Sequence, residues 1–94
     1  MRLTTEAVRL YKQLAKEWNI KDEAGRLLLR TALEAFDEMK AAQRTLEDEG
    51  VYVSDRWGQR KLHPAAQREK EARAHMLQAM KALNLDLQTI EEKK

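Results

Sequence analysis

A helix-breaking, β-prone segment separates two charged helical stretches, and it constrains the fold more than any other feature of the chain. It occupies residues 49–64, with the sequence EGVYVSDRWGQRKLHP. Gly50 can take the left-handed backbone that ends a helix, and Val51–Val53 favour an extended backbone. Ser54–Gly58 is typical of a turn, and Pro64 suits the first turn of a following helix. The segment therefore predicts a small β-hairpin between two helices. Because a two-stranded hairpin is marginally stable alone, we expect it to rest on the helices or on another subunit.

Composition bounds the class of protein. The 94 residues predict one domain over residues 1–94, and a chain of this size buries only about 60–65% of its unfolded surface. With 43% hydrophobic and 36% charged residues, the chain resembles neither a disordered tail nor a membrane span. It lacks cysteine, a long apolar run and a signal-peptide core. We therefore expect a cytoplasmic protein without disulfides or thiolate metal sites.

Three helices are predicted around the hairpin. Helix 1 covers about residues 5–18, with Thr4 or Thr5 as its cap. Asp22 caps a second helix that ends before Gly50, and its 27 or so residues would be roughly 40 Å long. The predicted segments are an N-terminal helix and linker (1–21), a long central helix (22–49), the β-hairpin (50–63), a third helix (64–84) and a C-terminal tail (85–94). Asn84 can take the left-handed conformation that ends the third helix.

The long helix carries two apolar faces. One is a seam with alternating spacings of four and three, formed by Leu28, Ala32, Ala35, Met39, Ala42 and Leu46. That heptad pattern predicts close pairing with the third helix. The other face consists of Leu29, Leu33 and Phe36, and either helix 1 or a neighbouring subunit can cover it. The predicted fold is all-α: a long antiparallel helical hairpin with a short β-hairpin insert at its tip and an N-terminal helix, assembling into a ring oligomer.

The sequence contains no motif that is typical of a catalytic site. Its three glycines are isolated, so they do not form a phosphate-binding loop, and Ser54 is the sole serine. His63 and His75 are twelve residues apart, which does not match the spacing of two metal ligands on one helical face. We therefore expect a non-enzymatic protein without catalytic residues, metal or cofactor.

Charge is distributed unevenly along the chain. The net charges of residues 1–21, 22–50 and 51–94 are +3, −4 and +3, although the whole chain carries only +2. This layout favours self-association through opposite fields or a local basic patch for nucleic acid. The acidic run Glu47–Glu49 lies at the negative end of a helix dipole. Either it is simply solvated, or bases of the hairpin or of another subunit neutralise it.

Basic residues near an aromatic ring suggest contacts with nucleic acid. Arg56, Arg60 and Lys61 surround Trp57 in the hairpin, and such a ring can stack on bases. Trp57 can equally cover the end of the long helix or contact a partner subunit. Lys12 and Lys16 of helix 1 can contact phosphates or form an ordinary charged outer face.

The order of motifs around the hairpin carries a family resemblance. The residues concerned are Leu46–Gly50, Val51–Val53, Asp55–Gln59, His63–Ala65 and Leu83–Leu85, preceded by Leu3–Ala7 and Asp22–Leu28. This pattern resembles small terminase subunits of the P27 type from tailed bacteriophages and prophages. The resemblance covers nearly the whole chain, and its most specific part is the short β insert between Glu49-Gly50 and His63-Pro64.

The resemblance implies a non-catalytic DNA-packaging factor in the cytoplasm of a bacterial host. Such a protein is a ring-shaped homo-oligomer that engages double-stranded viral DNA and regulates the large terminase subunit, which holds the ATPase and nuclease. On this hypothesis, the DNA contacts are Arg56, Arg60, Lys61, Lys12 and Lys16, and the subunit contacts are Leu29, Leu33, Phe36 and Trp57. The alternative is a helical-hairpin adaptor that oligomerises and binds a protein partner without binding DNA.

Overall fold

The computed structural model describes residues 3–83, which form three helices and one two-stranded sheet. The elements are α1 (Thr5–Glu17), α2 (Glu23–Glu49), β1 (Tyr52–Ser54), β2 (Arg60–Leu62) and α3 (Pro64–Ala82). The predicted order of elements is confirmed, and the helix bounds agree with the prediction to within two residues. The predicted stop at Asn84 and the tail 85–94 lie outside the described residues.

Each helix begins at a side chain that accepts a hydrogen bond from the backbone of the first turn. The three bonds are Ala7 N to Thr4 Oγ1 at 3.2 Å, Gly25 N to Asp22 Oδ2 at 2.9 Å and Ala65 N to His63 Nδ1 at 2.9 Å. These bonds satisfy N–H groups that have no partner inside the helix. Thr4 is therefore the cap of α1, the predicted cap at Asp22 is confirmed, and His63 is the cap of α3.

The exit from α2 depends on Gly50. Its backbone has φ 85° and ψ 159°, so φ is positive as predicted but ψ is extended rather than left-handed helical. Residues with a side chain rarely adopt this combination. The extended ψ turns the chain directly into β1, while Gly50 N still donates to Leu46 O at 2.8 Å. The glycine thus ends the helix and starts the hairpin.

Helices α2 and α3 form the predicted antiparallel pair. The buried residues of their facing sides are Ala32, Met39 and Ala42 of α2 and Ala65, Ala72 and Ala79 of α3. The three α3 alanines recur every seven residues, which is the heptad repeat of a helix pair. Small side chains allow the two helix axes to approach closely. Gln43 Nε2 of α2 also donates to Glu69 Oε1 of α3 at 3.2 Å.

Helix α1 covers the second apolar face of α2. Ala7 and Ile20 form a buried cluster with Leu29 and Leu33, and Leu29 is completely inaccessible to solvent. Phe36 packs against this cluster but remains partly exposed. Of the two alternatives left open by the sequence, the structure therefore shows coverage of Leu29 and Leu33 by the N-terminal helix of the same chain.

The molecule is elongated, measuring 55 × 27 × 19 Å. The hairpin lies at one end of the α2–α3 pair, and α1 lies beside the other end of α2. Within the described part of the chain, no helix is both long and apolar enough to cross a membrane.

Candidate interaction site at the hairpin tip

The hairpin tip, which we define as residues 51–62, is an antiparallel ladder closed by a five-residue loop. Tyr52 pairs with Leu62, and Val53 pairs with Lys61. Just outside the strands, His63 N donates to Val51 O at 2.7 Å. Residues directly opposite each other in such a ladder point to the same face of the sheet. Tyr52 and Leu62 therefore share one face, and Val53 and Lys61 share the other.

A single carboxylate organises the loop. Oδ1 of Asp55 accepts hydrogen bonds from Trp57 N and Gln59 N, both at 2.9 Å. Asp55 N also donates to Gln59 O at 2.9 Å, and Gly58 N donates to Asp55 O at 3.0 Å. Aspartate favours such turns because its short side chain reaches backbone N–H groups two residues on. The loop is thus held by four hydrogen bonds, and Trp57 lies at its apex.

The hairpin tip exposes large apolar side chains. Trp57 is 75% exposed and Tyr52 is 56% exposed, and Val51 and Leu62 are exposed as well. Trp57 is therefore not buried against the end of α2, which was one of the predicted alternatives. Of the two supports expected for the hairpin, the helices of the same chain cover little of it, since only Val53 and Asp55 are half-buried, and support by another subunit stays a prediction. The hairpin instead projects from the helix pair.

A guanidinium group lies over each aromatic ring of the hairpin tip. The Arg56 Cζ atom lies 4.9 Å from the ring centroid of Trp57, and the Arg60 Cζ atom lies 4.6 Å from the ring centroid of Tyr52. Both distances are typical of cation–π contacts. Arg60 can reach Tyr52 because the two residues are diagonal neighbours on one face of the ladder. The site therefore presents flat rings and positive charge together.

The basic side chains of the hairpin tip do not form ion pairs with the acidic C-terminal end of α2, Glu47–Glu49, in the described part of the chain. Glu49 instead pairs with His63, whose Nε2 lies 3.0 Å from Glu49 Oε1. Within residues 3–83, neither Arg56, Arg60 nor Lys61 forms an ion pair with a carboxylate. The sequence-based alternative that these bases pair with Glu47–Glu49 is therefore wrong inside a single chain, because the two arginines lie over aromatic rings instead.

The five predicted DNA contacts form two separate groups. Arg56, Arg60 and Lys61 lie together on the hairpin tip and are exposed. Lys12 and Lys16 are also exposed, but α1 runs beside the opposite half of α2. They lie level with about residue 30 of α2, some twenty residues from the hairpin, which corresponds to about 30 Å along the helix. The structure does not bring the two groups to one surface.

The four predicted subunit contacts are also divided. Leu29 and Leu33 are buried under α1, so they cannot touch a second subunit while α1 is in place. Phe36 is partly exposed, and Trp57 is widely exposed. Other exposed large apolar residues, Leu27 on α2 and Leu77 on α3, were not identified by the sequence as contacts. Both residues have an apolar neighbour in the sequence, Leu28 and Met76 respectively, and the sequence did not show that their own side chains lie outside the packed faces.

The chemistry of the hairpin tip is suited to binding. Its side chains provide cations, aromatic faces and aliphatic surface, and its acid, Asp55, is used by the loop. Within the described range, no cluster of three or more His, Asp or Glu side chains could hold a metal ion. Comparisons with known protein families, with curated proteins and with solved structures found no match for this chain.

Proposed function

We propose that this protein is a small terminase subunit of a tailed phage or prophage. In this role it is a non-catalytic packaging factor that engages double-stranded viral DNA and regulates the ATPase and nuclease of the large terminase. The observation that carries the proposal is the hairpin tip, where Arg56, Arg60 and Lys61 project from a rigid helix pair without carboxylate partners in the described part of the chain. The motif order around the hairpin supports the choice of family.

The number of basic side chains at the hairpin tip sets the expected affinity for DNA. Three phosphate contacts give an affinity that falls with roughly the 2.7th power of salt concentration, or about 40-fold between 50 and 200 mM. One subunit therefore binds DNA weakly. Several subunits in a ring would act together and bind more tightly, because later contacts form at high effective concentration.

The ring is part of the same proposal. The subunit is elongated, and it exposes Leu27 on α2 and Leu77 on α3 at sites that a neighbouring copy could cover. With Leu29 and Leu33 buried, the proposed contacts between copies use these outer surfaces together with Phe36 and Trp57. Contacts between unlike surfaces generate a ring when the rotation closes. Native mass spectrometry measures this directly, since a ring has a mass that is a fixed multiple of 11.0 kDa.

A second candidate function is an adaptor that binds a protein and never DNA. The exposed apolar residues of the hairpin tip favour it, because Val51, Tyr52 and Leu62 add aliphatic and aromatic surface that phosphate contacts do not need. The adaptor predicts no binding of duplex DNA even at low salt.

The proposal predicts that Arg60→Gln weakens duplex binding and its salt dependence. Removing one phosphate contact should lower the slope of log affinity against log salt by about 1. Fluorescence anisotropy with a labelled 20-base-pair duplex between 50 and 200 mM salt measures this slope. Lys81→Gln is the matched control, because it removes one exposed positive charge about 25 Å along α3 from the hairpin. Equal losses in the two variants would contradict the proposed site.

A further inference from the structure

Duplex DNA offers few favourable contacts to the faces of the two aromatic rings at the hairpin tip. Bases in a duplex are stacked on one another, so a protein meets their edges in the grooves and the phosphates outside. The broad faces of Trp57 and Tyr52 would gain little from either. In a single strand the base faces are available, and every base can stack on an aromatic ring.

Each ring has a guanidinium group near one face and is otherwise widely exposed. The guanidinium groups of Arg56 and Arg60 lie over one face of Trp57 and Tyr52, respectively. The large exposed fractions of both rings, 75% and 56%, leave surface for a further stacked group. A base stacked on that surface would have the ring between itself and the guanidinium group.

We propose that the hairpin tip binds single-stranded nucleic acid in preference to duplex. Bases stack on Trp57 and Tyr52, and Arg56, Arg60 and Lys61 contact the phosphates. The inference rests on the proposed DNA-binding function and adds that the same site binds a single strand more tightly than the duplex of that proposal. One stack increases affinity by about 5- to 150-fold. This gain is large compared with the small electrostatic advantage that a duplex has over a single strand at three phosphate contacts.

The loop holds Trp57 ready for stacking. Its backbone N–H donates to Asp55, and the remaining loop bonds converge on the same residue. A preorganised loop loses less conformational entropy when a ligand binds. The order of the loop therefore favours affinity, although the hairpin itself is small.

A protein partner would use similar residue types, since Trp, Tyr and Arg dominate hot spots at protein interfaces. A standard interface, however, involves about 20–30 residues on each side. The hairpin tip has twelve residues, 51–62, and stands away from the helices. Its size and its unpaired cations fit a narrow polyanion with flat bases better than a broad protein surface.

The test compares a 12-nucleotide oligothymidine with a blunt duplex of the same length. For the full chain at 50 mM salt, we expect tighter binding of the single strand. Trp57→Leu keeps an apolar side chain but removes the stacking ring, and it should weaken single-strand binding about 5- to 150-fold while changing duplex binding by less than about twofold. Tyr52→Leu is a second variant with the same expectation.

Tryptophan fluorescence provides an internal control. The chain has two tryptophans, and the other, Trp18, is half-buried beside α1. Oligothymidine should quench the emission of the native chain and leave that of Trp57→Leu unchanged. Equal affinity of the native chain for both nucleic acids would overturn the inference but leave the proposed function standing. Binding of neither would overturn both. A Trp57→Leu variant that loses subunit association but retains the single strand would assign the ring to a protein contact and also overturn the inference.

Discussion

His63 joins the two long helices at the base of the hairpin. Its Nδ1 accepts the hydrogen bond from Ala65 N at 2.9 Å, so the neutral ring carries its proton on Nε2. That nitrogen then donates to Glu49 Oε1 at 3.0 Å. One side chain therefore caps α3 and fixes the last residue of α2. Proline at position 64 adds to the cap, because its restricted φ suits the first turn of a helix.

The cap predicts different effects for two substitutions of His63. His63→Ala removes the acceptor and should lower the free energy of unfolding by about 0.5–2 kcal/mol. His63→Asn retains a capping oxygen and should cost less than His63→Ala, because the lost bond is to Glu49, whose side chain is 60% exposed, and a bond to such an exposed partner contributes little. Urea denaturation followed by circular dichroism measures both. Equal costs would show that the bond to Glu49, and not the cap, stabilises this junction.

Helix α1 is attached to α2 by apolar packing and by one carboxylate. Asp37 Oδ2 accepts a hydrogen bond from Thr4 N at 2.9 Å, and Asp37 Oδ1 accepts one from Thr4 Oγ1 at 2.6 Å. Thr4 thus caps α1 and anchors it to the neighbouring helix. The same contact holds α1 over Leu29 and Leu33. The helix that hides the second apolar face of α2 is therefore fixed at its N-cap residue.

This anchor predicts that Asp37→Ala loosens α1. Loss of two hydrogen bonds to a carboxylate at a partly exposed site should lower the free energy of unfolding by about 1–2 kcal/mol. Amide hydrogen exchange of α1 should accelerate more than that of α3. Glu38→Ala is the control, because it removes the adjacent, exposed carboxylate and should leave exchange in α1 unchanged. Unchanged exchange in Asp37→Ala would contradict the anchoring role of Thr4.

Local patterns predicted the elements and the pairing of α2 with α3, but not the other contacts between elements. Helix caps at Asp22 and His63, the glycine at position 50 and the heptad seam all act within a few residues, so the sequence was sufficient for the order and bounds of the helices and strands. The sequence shows that Leu29 and Leu33 form an apolar face, yet it cannot show which surface covers them. The bond between Glu49 and His63 spans fourteen residues and depends on how the hairpin turns. For the same reason, the sequence grouped Lys12 and Lys16 with the hairpin bases.

At the scale of the whole molecule, the helix pair separates two basic surfaces. One lies at the hairpin tip, and the other, with Lys12 and Lys16, lies on α1 about 30 Å away along α2. A nucleic acid that contacted both surfaces of one subunit would have to be long or bent. The combination of cations with exposed aromatic rings occurs at the hairpin tip, so we propose nucleic-acid binding at that end, while α1 covers the core.

Hydrogen exchange of the full chain with and without a 20-base-pair duplex, read by mass spectrometry at 50 mM salt, tests the assignment of the binding surface most directly. The account predicts that the DNA slows exchange mainly in peptides covering residues 51–62, with little change in peptides covering α1. Protection concentrated around Lys12 and Lys16, with exchange of the hairpin tip unchanged, would contradict it.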